Sequence, residues 1–289
     1  MRKMKKSAIV ITLAAMLAAS SFAMAPGSPA TIKASAYNEN FGGTNEDVLK
    51  SVSPKGTIIK DKYYNLKYRV TKTFTPATGY RDNYSGKYVL SWNELPGEVE
   101  VVGHINSRKQ SEDATTIQIG SEITISDTDC PKLADGQEQR FIITGIAKNA
   151  FKNDNEDFFS ITSTLGYTDK LVIPNGAFKN CKKLKKVQIT GFESIEFKGK
   201  AFENAPIKEM TFWDGPDIFS PIKMKAPKNA FNKVKSNSIK VEVFMGDATP
   251  KKEVKKSATN IRSALVKGGI KKSKLHIEYE VDATRYKLK

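Results

Sequence analysis

Histidine and cysteine are nearly missing from this chain, with two of each among 289 residues. His104 and His276 are the only imidazoles. Neither stands in a zinc spacing such as H-E-x-x-H, and no third ligand lies near either in sequence. There is no G-x-S-x-G elbow and no phosphate-cradling glycine loop. The acidic run at 153–159, NDNEDFF, lacks the spaced oxygens and closing glutamate of a calcium loop. The expectation is a protein that is not an enzyme and takes neither metal nor cofactor. Cys130 and Cys181 could pair in an oxidising compartment, but they are far apart and no framework spacing supports a bond. The simpler reading is two independent thiols, with Cys181 acting as a small buried hydrophobe.

Long apolar runs are also scarce. One lies at 8–19, behind the positive cluster Arg2, Lys3, Lys5 and Lys6. It has the length of a signal-peptide core and is too short to span a bilayer as an ordinary helix. Small residues occupy the −3 and −1 positions at Ala34 and Ala36, and again at Ala23 and Ala25. The second pair would place Pro26 just after the cut, which disfavours it. Residues 1–36 are therefore expected to be a signal peptide cleaved after Ala36, with Ala25 as the alternative. The mature chain should have no transmembrane segment. It should be secreted, either extracellular or loosely associated with the cell surface.

Acidic residues are in deficit, 31 against 47 basic, for a net charge of +16. The excess is uneven. Residues 223–289 hold 18 Lys+Arg and 6 Asp+Glu, whereas 37–222 are close to balance. Such a field favours anionic partners, including cell-wall polymers. An export signal and the lack of a recognition-helix or base-stacking motif argue against specific nucleic acid.

What the chain does have is a recurrence. The pair Ala-Phe appears at 150–151, 177–178, 201–202 and 230–231, with spacings of 27, 24 and 29 residues, in or near the leucine-rich-repeat range. Two residues after each Phe stand Asn153, Asn180, Asn204 and Lys233. An alternating strand then follows, as in Leu184-x-x-Val187-x-Ile189, Ile207-x-x-Met210-x-Phe212 and Ile239-x-Val241-x-Val243. Each unit reads as one short strand plus one tight return segment. Stacking would bury the Phe and aliphatic positions as ladders. Lys182, Lys183, Lys185, Lys186 and Gln188 fall between the apolar positions and should face solvent.

The stretches IPNGAFKNCKKLKKVQI and ITGIAKNAFKN resemble bacterial leucine-rich repeats of the BspA type, in which AF-x-x-C-x-x-L leads into a strand L-x-x-V-x-I. NLKYRVTKT, GEVEVVG and RFIITGIAKNAF resemble the lead-in of that family. NKVKSNSIKVEV, SALVKGG and KLHIEY resemble its closing cap. Only Cys181 matches the repeat cysteine. Two runs, NDNEDFFSITSTLGYTDK and WDGPDIFSPIKMKAP, read as loop insertions.

The fold expected is mainly β with short helical turns. It would be a short solenoid of about four degenerate leucine-rich repeats at 141–244, with an N-terminal β-rich cap at 57–140. A basic C-terminal strand-helix-strand cap would occupy 245–289, and a flexible lead 37–56. The cap helix is expected at 257–267, and the strands of 57–146 in one small antiparallel sheet. The resemblance implies a secreted or cell-surface, non-catalytic binding or adhesion protein that meets a protein or glycan partner at the host interface. Its alternative is envelope retention on anionic wall polymers. Aromatic residues beside polar groups at Tyr80, Arg81, Tyr84, Tyr88 and Trp92, with Trp213 and Asp214 opening an insertion, are the candidate ligand contacts. Lys251, Lys252, Lys255, Lys256, Lys271, Lys272 and Lys274 are the candidate contacts to anionic polymer.

Overall fold

The computed structural model describes residues 45–288 apart from 77, 82–87, 92–94, 107–114, 124–127, 135, 165–167, 214–219 and 247–248. Gly43–Tyr80 with Leu90–Lys289 make one compact unit, and the buried hydrophobic residues among those described lie in it.

Within the lead expected to be flexible, α1 (Asn45–Ser51) forms and buries Val48. Alternating apolar residues then set the strands. β1 (Ile58–Asp61), β2 (Leu66–Lys72), β5 (Gly97–His104) and β7 (Phe141–Ile146) form a four-stranded sheet in that order. β1, β2 and β5 pair antiparallel, but β5 and β7 run parallel. β3 (Thr78–Arg81) and β4 (Tyr88–Ser91) make a two-stranded sheet of their own.

β6 (Thr115–Ile119), β8 (Phe158–Ser163), β10 (Lys186–Thr190), β12 (Glu209–Trp213), β14 (Ile239–Phe244) and β15 (Leu275–Val281) pair parallel in that order. β16 (Thr284–Lys287) closes this seven-stranded sheet antiparallel to β15. β9 (Thr168–Ile173), β11 (Phe192–Phe197) and β13 (Lys223–Lys225) form a separate three-stranded parallel sheet. α2 (Lys251–Lys267) buries Val254, Ala258, Ile261 and Leu265 along one stripe. It starts six residues before the expected 257, because Val254 already belongs to that stripe.

These sheets correct the expected leucine-rich-repeat solenoid. The chain is mainly β, but it is organised as mixed four- and seven-stranded sheets and a three-stranded parallel one. A unit of one strand and one tight return is not what forms. The two runs read as loop insertions hold strands: β8 and the first half of β9 come from the first, β13 from the second. Each stretch between Ala-Phe pairs thus feeds two different sheets. The expected small antiparallel sheet is likewise mixed, and β6 leaves it for the seven-stranded sheet.

The Ala-Phe recurrence itself has a clear physical basis. Phe151, Phe178, Phe202 and Phe231 are buried and stack in sequence, with centroids 5.5, 4.9 and 5.5 Å apart and planes within 7°. Each ring's backbone amide donates to the next turn: Phe151 to Ala177 O, Phe178 to Ala201 O and Phe202 to Ala230 O, all at 2.8 Å. Asn153, Asn180 and Asn204 recur because each sits at positive φ, between 61° and 65°. Asparagine tolerates that region better than most residues. Their amides also form a ladder: Asn180 Nδ2 donates to Asn153 Oδ1 (3.1 Å), and Asn204 Nδ2 to Asn180 Oδ1 (3.2 Å).

Lys233 holds the fourth such position at φ 57° without the matching side chain. Lys233→Asn should therefore stabilise the protein by about 0.5–1 kcal/mol, by relieving the left-handed backbone and adding a rung to the ladder. The check is a thermal melt of the two proteins. An unchanged or lower Tm would contradict it.

Candidate functional site

The seven-stranded sheet has one face in the core, lined by Phe159, Ile161, Val187, Ile189, Met210, Phe212, Val241 and Val243, all buried. Strand alternation puts the other side chains on the opposite face. The parallel register aligns them in rows. One row runs Thr116, Ser160, Gln188, Thr211, Glu242 and Glu278. The next runs Gln118, Thr162, Thr190, Trp213 and Phe244. Lys182, Lys183, Lys185 and Lys186 face solvent, and Lys186 lies 3.4 Å from Glu209, while Lys179 is half-buried against Glu203.

The middle of the first row and the end of the second border a cleft of about 400 Å³ lined by Gln188, Thr211, Trp213, Phe244, Glu280 and Asp282, among others. This volume lies within the range of small-ligand sites. Trp213 stands at the end of β12 and keeps 43% of its surface exposed. One wall is the β15–β16 turn, where Asp282 and Ala283 both take positive φ (49° and 57°), as a tight two-residue hairpin requires. The cleft offers one large flat indole, with amide, hydroxyl and carboxylate groups around it. It can stack a ring and hydrogen-bond its substituents.

Among the described residues, Trp213 is the predicted ligand contact that lines this cleft. Tyr80 and Arg81 lie on β3 and Tyr88 on β4, while Tyr84, Trp92 and Asp214 lie outside the described residues. Sequence reading passed over Gln188, Thr211, Phe244 and Glu280. Their signal was present as the solvent-side positions of alternating strands, but only the register shows that they converge.

The predicted polymer contacts split. Lys251, Lys252, Lys255 and Lys256 occupy the first turns of α2; Lys271 precedes and Lys272–Lys274 form a short 3-10 turn. Three of the seven are engaged within the protein. Lys251 Nζ sits 3.4 Å from the Tyr286 ring centroid, Lys274 Nζ donates to Ser236 O (2.9 Å), and Lys256 lies 3.9 Å from Glu253. Lys252, Lys255, Lys271 and Lys272 are exposed.

Of the remaining chemical groups, His104 and the two thiols are embedded. His104 Nδ1 lies 2.7 Å from Asp154 Oδ2, and its Nε2 lies 3.0 Å from Thr115 Oγ1. The ring packs against Phe151 and Phe159, with centroids 5.1 and 6.1 Å away. His104, Asp154 and Glu156 bring their ligand-type atoms within 4.8 Å of one another. An ion there would compete with the bonds that tie β5, β6 and the first Ala-Phe turn together. His276 is exposed on β15. Cys130 and Cys181 are both buried and free. Burial pushes the Cys181 thiol up to about 12, while its S–H donates to Phe151 O.

No protein family, curated protein or solved structure matches the chain. Among the described residues, no helix is long and apolar enough to cross a membrane. The expected signal peptide and both of its cleavage sites lie outside the described residues.

Proposed function

We propose that this is an exported, non-catalytic binding protein that holds a neutral glycan in the Trp213 cleft. The observation that carries the reading is a half-exposed tryptophan beside the polar pair Gln188 and Thr211, inside a cleft of about 400 Å³. An indole presents a flat apolar surface to the C–H face of a sugar ring, and Gln188, Thr211 and the nearby carboxylates suit its hydroxyls. A glycan is favoured over a protein partner because the site is a concave cleft of small-ligand size. The non-catalytic part is supported by the buried thiols and by an imidazole whose two nitrogens are already hydrogen-bonded. Binding to an array of neutral oligosaccharides tests the proposal. The chain should retain a ligand, and Trp213→Ala should weaken that binding at least tenfold, about 1.4 kcal/mol. Trp213→Phe should lose less. Retention of the ligand by Trp213→Ala would refute the site.

A second reading is favoured by the exposed lysines at Lys252, Lys255, Lys271 and Lys272. It is retention on an anionic wall polymer after export. Exposed charge contacts weaken as the Debye length shrinks, so such binding would fall steeply with salt.

A further inference from the structure

A groove of about 810 Å³ separates α2 from the three-stranded sheet. Its helix wall is one stripe of α2, containing Asn260, Ser263, Ala264 and Lys267 at i, i+3, i+4 and i+7. Its opposite wall carries Lys198, Lys223 and Lys225. Lys223 and Lys225 flank the buried Met224 on β13 and point to the same side. Two hydrogen bonds fix the two walls together. Ile222 N donates to Ser257 Oγ (2.9 Å), and Asn260 Nδ2 donates to Ile222 O (3.0 Å).

The charge in this groove is one-sided. Its single acidic lining residue, Glu196, is already paired with Lys198 and with Lys170 at 2.5 Å. Those two ammonium groups hold its carboxyl down at about 2. Lys223, Lys225 and Lys267 have no acidic partner among the described residues. None of these three belongs to the lysines expected from sequence to meet a polymer.

We propose that this groove is a binding site for a slender phosphodiester-linked polyol chain. The proposal rests on the wall-retention reading and gives it a built site. Lysine is a point charge suited to single phosphates. Same-side residues two apart on a strand are separated by about 6.6 Å, so Lys223 and Lys225 present a repeated charge to a repeated phosphate. The chain lying between those phosphates should have no rings. The aromatic residue in the lining, Phe197, is only 1% exposed, so neither bases nor sugar rings have a surface to stack on.

The test uses the full chain and a soluble poly(glycerol phosphate), titrated across a salt series. Changing Lys223, Lys225 and Lys267 to Gln should lower affinity at least tenfold at low salt. It should also make the plot of log affinity against log salt shallower by about 2, at roughly 0.7 per lysine. A control with the same charge loss at exposed lysines assigned to no site, Lys182, Lys183 and Lys185 to Gln, should change affinity less than threefold. Ser263→Glu puts a carboxylate on the exposed helix wall; it should weaken binding while Ser263→Ala does not. Melting curves confirm that each variant is folded. Equal losses in the two lysine variants would overturn the groove while leaving wall retention standing. No binding by the unaltered chain would overturn both. Competition by single-stranded DNA or by a carboxylated glycan as effective as that of the polymer would overturn the ligand assignment.

Discussion

Phe202→Ala is expected to destabilise the protein by about 3–5 kcal/mol and to lower Tm by roughly 6–20 °C. Phe202 is fully buried in the middle of the stack, 4.9 Å from Phe178 and 5.5 Å from Phe231, with Phe197 edge-on at 5.7 Å. Removing the ring deletes transfer energy and leaves a hole between two parallel rings. Those rings cannot close up, because the backbone bonds from Phe178 N to Ala201 O and from Phe202 N to Ala230 O hold the turns at fixed spacing. The cost should therefore lie toward the upper part of the range for a large-to-small change. Phe202→Leu keeps most of the volume and should lose distinctly less. Differential scanning calorimetry of the three proteins is the check. A Phe202→Ala melt that coincides with that of the unaltered chain would mean that the stack does not carry the core.

The same stack shows what the sequence makes legible and where it stops. The recurrence of Ala-Phe and of Asn two residues later exposed the turns, because positive φ and ring stacking each demand a particular residue type. β10, β12 and β14 were legible from strict alternation. β8 was missed because it follows an acidic run that looks like a surface loop, although Phe159 and Ile161 alternate within it. β13 is three residues long, with one buried side chain between two lysines, and no periodicity test detects so short an element. Those two omissions turned a set of mixed sheets into an expected solenoid. They also hid the groove, whose sheet wall is built on β13. Trp213 was legible as an unusual aromatic residue. Its neighbours in the cleft come from β10, β14, β15 and the turn after it, and only strand register brings them together.

His104→Leu is expected to cost about 2–3 kcal/mol even though the new side chain is apolar and similar in size. Leucine can keep the packing against Phe151 and Phe159, so the loss isolates the polar contribution. The carboxylate of Asp154 only accepts, so His104 Nδ1 donates to it, and Nε2 is left to meet the Thr115 hydroxyl. Removing the imidazole strips Asp154 Oδ2 and Thr115 Oγ1 of these bonds at once. Asp154 is only 13% exposed at its side chain, so water replaces the lost donor poorly. Its other oxygen, Oδ1, still accepts from Glu156 N (2.9 Å), which keeps the turn in place. The stranded charge is then the main penalty. It follows that Asp154→Asn in the His104→Leu background should recover part of the loss, since it removes that charge. A double-mutant cycle by urea denaturation measures the coupling. A loss below about 0.5 kcal/mol for His104→Leu would show that the pair does not brace β5 against β6 and the first Ala-Phe turn. It would also reopen the imidazole to a chemical role, because a histidine dispensable for stability has no structural reason to be buried there.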